Sequence, residues 1–184
     1  QGYGPAPLSG DERAAVAAAA AATDDGAPAP GIRFDCPDWL VPRLERALGG
    51  QALPVMLAQR QRAPVFLRAN LHKADRAAAI AALAAEGIAT HPADGVETAL
   101  VVDGNASKIR QSQAYLDGLV ELQDLSSQAA ALRVPLAGGR TVLDYCAGGG
   151  GKSLAIGARG RFALHAHDAN PGRMRDLPAR ARRA

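Results

Sequence analysis

The residues with the clearest capacity for chemistry lie in one stretch, residues 141–153, which reads TVLDYCAGGGGKS. An apolar run ends in an acid, Asp144, and four glycines and a Lys-Ser pair follow it. Glycines let a backbone approach a ligand closely, and backbone amides at a helix start bind anionic groups. The stretch therefore predicts a strand, a ligand-binding loop and a helix. The ligand could be a nucleotide phosphate or the methyl donor S-adenosylmethionine.

The spacing of the glycines argues against a phosphate loop. A Walker A motif, G-x-x-x-x-G-K-[ST], would end at Gly151, Lys152 and Ser153 and would need glycine at position 146, where the chain has Cys146. The dinucleotide motif G-x-G-x-x-G fails as well, because Ser153 and Leu154 occupy the positions that its last glycine would need. A nucleoside triphosphatase is therefore the less favoured alternative.

A second pattern in this stretch fits an S-adenosylmethionine site. Small residues alternate after the acid at the strand end, at Cys146, Gly148 and Gly150. The next predicted strand, FALHAHD, ends in Asp168, and an acid that follows the glycine loop at roughly 20 residues hydrogen-bonds ribose hydroxyls in dinucleotide-binding folds. Two acids at adjacent strand ends predict a cofactor cleft. The structural alternative is a glycine turn that packs a helix on a strand, with both acids as caps.

The composition sets the background for this loop. The chain has 184 residues, a net charge of +3 and a pI of about 9.2, which mildly favours a polyanionic partner. Aromatic residues make up only 4% of the chain, so a core of Ala, Leu and Val in helices on a parallel sheet is expected. Five arginines lie in the last twelve residues, RMRDLPARARRA, a run that is typical of a solvated helix face.

The two cysteines give no sign of a metal site. Cys36 and Cys146 lie outside any CxxC motif, and no histidine cluster accompanies them. Reduced thiols in the cytoplasm are the simpler interpretation. No apolar stretch of about 18 residues exists that could span a membrane. We therefore expect a cytoplasmic protein, monomeric, with neither a metal nor a membrane partner.

Secondary-structure patterns divide the chain into three parts. Residues 1–33 are expected to be a linker with a short helix whose capping box is Ser9 and Glu12. Residues 34–110 carry two short helices and then strand, helix, strand and strand, which predicts a small α+β ferredoxin-like domain. Residues 111–184 alternate strands and helices around the glycine loop and predict the first part of a Rossmann-like α/β domain, with two strands visible. Because the chain also begins without Met, we expect a fragment.

Four segments, in order, resemble RNA 5-cytosine methyltransferases. VLDYCAGGGGKS is similar to their D-x-C-A-A-P-G-G-K-T signature, departing from it at Gly148 and Gly149. The other three segments are CPDWLVPRLERALG, RQRAPVFLRANLHKADR and YLDGLVELQDLSSQ. Their order resembles most closely the bacterial 16S rRNA cytosine-C5 branch (RsmB/Sun type), in which a helical RNA-binding domain comes first. Residues 1–33 would then be the tail of that domain.

The resemblance implies a cofactor site and the chemistry around it. S-adenosylmethionine would be lined by the following residues: Cys146, Ala147, Gly148, Gly149, Gly150, Gly151, Lys152 and Asp168. Arg173 lies where the family often has an arginine. Family members add a cysteine thiolate to carbon 6 of cytosine before carbon 5 takes the methyl group. Their two cysteines lie in downstream Pro-Cys and Thr-Cys motifs, and this sequence has neither. No catalytic residue is therefore expected in this chain, and alone it should be unable to methylate.

The resemblance also implies an RNA partner, 16S rRNA. Basic and amide side chains around one predicted strand are the candidate contacts: Arg60, Arg62, Arg68, Asn70 and Lys73. Arginine and lysine would hold phosphates, and the amide could reach a base or a sugar hydroxyl. Four polar residues match those that frame the cofactor side of the family's cleft: Gln123, Asp124, Ser126 and Gln128. The alternative function is a non-catalytic RNA-binding or scaffold protein that retains the cofactor half-site.

Overall fold

The chain folds as two units, Gln1–Ala63 and Pro64–Ala184, in a computed structural model that describes residues 7–21, 28–136 and 141–184. The described part of the first unit is helical. Its α-helices are α1 (Gly10–Ala21), α2 (Pro30–Arg33), α3 (Val41–Leu48) and α4 (Ala52–Gln59). The predicted capping box of α1 is confirmed. The Ser9 N–H donates to Glu12 Oε2 at 2.7 Å, and the Glu12 N–H donates to Ser9 Oγ at 3.2 Å.

The apolar positions of residues 36–49 predict a helix over that range that stops at Gly49, and α3 is shorter. It begins at Val41 and not near Cys36, because residues 37–40 form a turn in which the Leu40 N–H donates to the Pro37 carbonyl at 2.8 Å. A proline in the first turn of α3 is tolerated there because the amide it lacks would have no partner inside the helix. The helix stops at Gly49, as predicted, where φ is +54°.

The second unit contains a four-stranded antiparallel sheet with the strand order β2-β3-β1-β4. The strands are β1 (Phe66–Ala69), β2 (Thr90–Pro92), β3 (Ala99–Val102) and β4 (Val120–Leu122). Helix α5 (Arg76–Ala85) connects β1 to β2, and Asp75 caps it by accepting the Ala78 N–H at 2.7 Å. The predicted strand, helix, strand, strand order of a ferredoxin-like domain is confirmed.

Apolar side chains from this sheet and α5 form the largest core cluster. Its buried members are Leu67, Ala69, Ala79, Leu83, Ile88, Leu100, Ile109, Ala114 and Val120. Ala79 and Leu83 are the residues of α5 that are buried against the sheet. A short helix, α6 (Gln113–Leu116), leads from this core into β4.

Strand β4 contributes a fourth strand to the sheet. The sequence predicted a strand over residues 119–122 but counted it with the following part of the chain. In the structure it pairs with β1, with Leu67 opposite Leu122 and Arg68 opposite Glu121. The division of the chain at residue 110 stays a prediction. This pairing brings Gln123, the residue after β4, close to the glycine loop.

The remaining elements form a parallel pair of strands with helices beside them. These elements are α7 (Leu125–Leu132), β5 (Thr141–Asp144), α8 (Gly151–Gly157), β6 (Ala163–Ala166) and α9 (Leu177–Arg183). The register places Thr141 opposite Ala163 and Asp144 opposite Ala166. The strand, glycine loop, helix and strand that the sequence predicts are confirmed. Ala131, Ala155 and Ile156 are the buried core between α7, α8 and this pair.

A buried amide ties α7 to the antiparallel sheet. Gln128 is fully buried, and its Nε2 donates to the carbonyls of Leu67 (3.1 Å) and Gln123 (2.9 Å). Its Oε1 accepts the hydroxyl of Thr98 at 2.9 Å. Every polar atom of this side chain is therefore paired, which is what burial of an amide requires. The contacts fix the end of β4 against α7, on which α8 packs.

Within the described residues, no helix has the length and apolarity needed to cross a bilayer. The same part of the chain contains no group of three or more His, Cys, Asp or Glu side chains placed to hold a metal ion.

Candidate cofactor and nucleic-acid site

The glycine loop has a backbone shape that two of its glycines make possible. Gly148 has φ of +51° and Gly150, at the N-cap of α8, has φ of +78°, a region that costs other L-residues roughly 1–2 kcal/mol. Gly150 also lies under a side chain. A Cβ built on it would stand 2.1 Å from Cδ1 of Leu177 in α9. Glycine at position 150 is thus needed both for the turn and for the close packing of α9.

Backbone hydrogen bonds join the loop to the end of β6. The Ala147 N–H donates to the His167 carbonyl at 2.8 Å, and the His167 N–H donates to the Asp144 carbonyl at 2.9 Å. Inside the loop the Gly150 N–H donates to the Ala147 carbonyl at 2.8 Å. These bonds fix the path of the loop, so four consecutive glycines adopt one conformation.

Asp168 lies against this loop. Its carboxylate is buried and accepts the Gly148 N–H at 2.9 Å and the Asn170 N–H at 3.0 Å, and Nη1 of Arg173 stands 3.5 Å from it. The Asn170 amide is the largest cause that lowers the pKa of this carboxyl, with the Gly148 amide and the Arg173 charge acting in the same direction against desolvation. The structure therefore brings two predicted cofactor residues, Gly148 and Asp168, into direct contact and keeps the acid ionised at neutral pH.

Four other predicted cofactor residues line a cavity of about 140 Å³ beside the loop: Cys146, Ala147, Gly151 and Lys152. The acid at the end of β5 lines it too, and Asp144 accepts the hydroxyl of Ser153 at 2.7 Å. Lys152 is exposed, with its Nζ 3.3 Å from Ser127 Oγ. The thiol of Cys146 is exposed as well.

The antiparallel sheet and α7 supply the remaining wall of this cavity through Gln123 and Ser127. Of the four residues that the resemblance assigned to the cleft, only Gln123 lines the cavity. Asp124 and Ser126 form the N-cap of α7, where Asp124 Oδ2 accepts the Ser126 N–H at 3.1 Å. Gln128 is the buried structural amide described above. Ser127 was missed, because no spacing signal separates it from its neighbours Ser126 and Gln128.

Gly149, the last of the predicted loop residues, faces α9 instead. Its carbonyl accepts a hydrogen bond from the guanidinium of Arg180. It also lines a second and larger cavity, of about 630 Å³, together with Tyr115, Glu121 and two arginines of α9, Arg180 and Arg183. Residues of the predicted loop therefore line two different cavities.

Two of the three arginines of α9, Arg180 and Arg183, do not lie on a solvated face, which corrects the interpretation of the C-terminal basic run for these two residues. Arg180 Nη2 lies 3.0 Å from Glu121 Oε2, and Arg183 donates to the other oxygen of the same carboxylate. Glu121 itself is almost fully buried. The guanidinium of Arg183 also stacks over the ring of Tyr115, 4.0 Å from its centroid. Glu121, a buried acid of β4, pairs with both Arg180 and Arg183, and the sequence around α9 gives no signal of this partner.

Two of the five predicted RNA contacts, Arg68 and Asn70, are buried and need correction. Arg68 is 2% exposed, and its Nε donates to Gln123 Oε1 at 2.7 Å. Burial lowers its pKa to about 10, and the charge of Glu121 acts against this. Asn70 donates through Nδ2 to the carbonyls of Gly118 (2.9 Å) and Ala184 (2.8 Å). Both residues are almost fully buried, so neither presents an open surface to a polyanion.

The other three candidates are exposed and divide between the two units. Lys73, in the second unit, donates through Nζ to the carbonyls of Asp117 (2.7 Å) and Arg183 (2.6 Å). Arg60 and Arg62 belong to the first unit. Arg60 pairs with Asp35 at 2.7 Å, and Arg62 is exposed.

A ferredoxin-like sheet followed by a strand, a glycine loop, a helix and a parallel strand with a loop-bound acid defines a class of protein: the methyltransferase-type folds that carry an added α+β domain. Residues 36–108 match the model of the RsmF/B-like methyltransferase ferredoxin-like domain. This part of the chain therefore belongs to the ferredoxin-like domains of the RsmF/B-like methyltransferases.

Comparison with curated proteins gives ribosomal RNA methyltransferases among the relatives. The chain is 34% identical over 140 residues to ribosomal RNA small subunit methyltransferase B of Xylella fastidiosa (strain Temecula1), a match that covers 76% of this chain and 32% of the relative. The chain thus spans about a third of the length of the curated relatives it matches.

Solved structures agree on the fold. A methyltransferase homologue from Pyrococcus horikoshii superposes with a TM-score of 0.74 at 20% identity, covering 85% of this chain and 53% of that one. NSun6 from P. horikoshii, solved with SFG, superposes with a TM-score of 0.71 at 14% identity, covering 80% and 62%.

Proposed function

We propose that the chain is part of an rRNA methyltransferase that transfers a methyl group from S-adenosylmethionine to carbon 5 of a cytosine in small-subunit (16S) rRNA. The observation that carries the proposal is the contact between the Gly148 amide and the Asp168 carboxylate, because it joins the glycine loop to the acid expected at the ribose. The named relatives support the rRNA substrate, and the neighbour solved with SFG, an analogue of S-adenosylmethionine, supports the cofactor.

The chain's own residues fit such a ligand in part. Asp168 Oδ1 accepts one amide, so a carboxylate oxygen keeps capacity for a ribose hydroxyl. The loop cavity of about 140 Å³ is smaller than the roughly 300–1,000 Å³ of sites that enclose a whole ligand. We therefore assign to it one portion of the methyl donor. When bound, the donor supplies the electrophilic methyl group, and the chain's residues hold and orient it.

Cys146 is assigned to the wall of this site and not to nucleophilic attack. Its thiol lines the loop cavity, next to Asp144 and Ala147. The residue before it is Tyr145, whereas the family's nucleophile motifs have Pro or Thr there. For RNA, the exposed cations Arg60, Arg62 and Lys73 remain the proposed phosphate contacts, and the buried Arg68 and Asn70 are withdrawn.

Calorimetric titration of S-adenosylmethionine and ATP into the chain tests the cofactor assignment. We expect S-adenosylmethionine to bind and ATP not to bind. We expect Asp168→Ala to weaken the affinity about tenfold, since it removes a hydrogen bond to a charged acceptor worth roughly 1.5–3 kcal/mol. The matched control is Asp94→Ala, at an exposed acid outside the loop region. Binding of ATP without S-adenosylmethionine would contradict the proposal.

Anisotropy of labelled 16S rRNA fragments at several salt concentrations tests the RNA assignment. We expect Arg62→Ala and Lys73→Ala each to weaken binding and to reduce the salt slope by about one phosphate contact. RNA binding without cofactor binding, by this chain and by a chain extended to the length of its relatives, would favour a non-catalytic RNA-binding protein.

A further inference from the structure

One buried hydrogen-bond donor at the loop cavity has no partner. Gln123 is 8% exposed, and its side chain lines the cavity beside Gly151 and Lys152. Its Nε2 is buried and makes no hydrogen bond with any residue in the described ranges. Buried amide groups are nearly always paired, so an unpaired one at a cavity wall points to a ligand atom as its partner.

The orientation of this amide is fixed from the side opposite the cavity. Arg68 Nε donates to Gln123 Oε1 at 2.7 Å. A guanidinium has donors only, so the oxygen of the amide must face Arg68 and the nitrogen must face away from it. Nε2 accordingly lies over the start of α8, 3.7 Å from where a Cβ on Gly151 would stand.

Arg68 is itself held in place. It lies opposite Glu121 in the β1–β4 register, and burial leaves it 2% exposed. The backbone of Gln123 is held as well, because its carbonyl accepts Gln128 Nε2 at 2.9 Å. The amide is therefore preorganised before any ligand arrives, which lowers the entropic cost of binding.

The polar side chains around the cavity indicate the chemistry of the ligand. Gln123 Nε2 and Lys152 Nζ are donors, and the second carries a positive charge. The acidic group, Asp144, already accepts the Ser153 hydroxyl. One neutral and one cationic donor suit an anionic acceptor with two oxygens, such as a carboxylate.

We propose that Gln123 is a ligand-binding residue that donates Nε2–H to the carboxylate of the methyl donor's amino-acid part, and that Arg68 is the positioning residue that aims it. This proposal rests on the proposed function. It gives Arg68, buried in the antiparallel sheet, a role at the cofactor loop in place of the RNA contact predicted for it.

The test uses the isosteric variant Gln123→Glu, which keeps an oxygen facing Arg68 and replaces the cavity-facing donor with an anionic oxygen. The ligands are S-adenosylhomocysteine, which has the amino-acid carboxylate, and methylthioadenosine, which lacks it. We expect the variant to bind S-adenosylhomocysteine at least about tenfold more weakly and methylthioadenosine with unchanged affinity. Gln111→Glu, an exposed glutamine of the same unit, is the charge-matched control and should change neither.

The Arg68→Lys and Arg68→Leu variants test the positioning role. We expect both variants to reduce the affinity for S-adenosylhomocysteine relative to that for methylthioadenosine. The reduction should be smaller for Arg68→Lys, because lysine can still donate to Gln123 Oε1. A merely structural role for Arg68 would weaken both ligands alike and leave the ratio unchanged. That unchanged ratio would overturn the positioning role even if Arg68→Leu unfolds, since Arg68→Lys supplies the same readout.

The outcomes separate this proposal from the proposed function. If the wild-type chain binds both ligands and Gln123→Glu binds S-adenosylhomocysteine as tightly, the role of Gln123 is overturned and the cofactor assignment stands. If the wild-type chain binds neither ligand, the cofactor assignment fails, and the role of Gln123 fails with it.

Discussion

The two sheets of the second unit differ in how their strands are enclosed. In the antiparallel sheet, β1 has three consecutive buried residues, and nine buried side chains form the core around it. In the parallel pair, β5 and β6 alternate between exposed and half-buried positions. On the open face Leu143 is 59% exposed and Tyr145 66% exposed, with the Tyr145 ring stacked on His167 at 4.8 Å.

This comparison shows that the glycine loop is not held by a sheet that is buried on both faces. Hydrogen bonds between the loop and β6, the Asp168 carboxylate, and the packing of Leu177 on Gly150 hold it. The antiparallel sheet should therefore dominate the free energy of unfolding, whereas the parallel pair should be sensitive at a few loop positions only.

The largest expected effect comes from the core of the antiparallel sheet. Leu67→Ala should lower the free energy of unfolding by about 4 kcal/mol, because Leu67 is fully buried and its truncation leaves a cavity. Leu143→Ala, the same change on the open face of β5, should stay within about 0.5 kcal/mol. Urea denaturation followed by circular dichroism measures both. Equal losses at the two positions would remove the contrast between the sheets.

The next largest effect comes from the acid that joins β4 to α9. Glu121→Gln should cost about 3 kcal/mol, because it leaves Arg68, Arg180 and Arg183 together without their anionic partner. Glu97→Gln, at an exposed position, should change the urea midpoint little. If Glu121→Gln proves neutral, the cluster does not hold α9 on the sheet.

A smaller effect is expected within the loop. Gly150→Ala should cost about 2 kcal/mol, since alanine at positive φ is strained and its Cβ displaces Leu177. Gly104→Ala has open space around it and an ordinary φ, so it should be close to neutral. Thermal unfolding of the two variants provides the comparison. A neutral Gly150→Ala would mean that α9 does not pack on the loop as described.

The smallest effect concerns pH. Because the pKa of Asp168 is lowered in the folded chain, this carboxyl stabilises the fold above its unfolded pKa of about 3.9 and loses that contribution as pH falls through the lower folded value. Asp168→Asn should therefore lose less stability than the wild type between pH 5 and about 3. Urea midpoints across that window measure it, and parallel curves would contradict the pKa direction.

Local signals were enough to predict the loop but not its surroundings. The capping box at Ser9, the strand that ends in Asp144 and the glycine loop follow from neighbouring residues, and the structure contains all three. Strand β4 has only three residues, and its partner lies about fifty positions earlier, so sequence pattern could not assign it to the antiparallel sheet.

Polar residues misled the prediction for the same reason. The sequence predicts Arg68 and Asn70 as RNA contacts because basic and amide side chains cluster around one strand of the domain that the resemblance assigns to RNA binding. Their burial depends on distant partners, namely Gln123 for Arg68 and the carbonyl of Gly118 for Asn70. The unpaired Nε2 of Gln123 could not be predicted from sequence either, because it follows from the hydrogen bond that Arg68 donates to Oε1 of the same side chain.

The contact of Arg180 with both the Gly149 carbonyl and Glu121 has a consequence for hydrogen exchange. A movement of α9 away from the loop that carries Arg180 with it also breaks the ion pair to Glu121 in the antiparallel sheet. The amide protons of the loop should therefore exchange with those of α9 in one cooperative opening, more slowly than glycines in an independent turn. The amide protons of the four-glycine loop are thus protected from exchange by contacts that reach the antiparallel sheet.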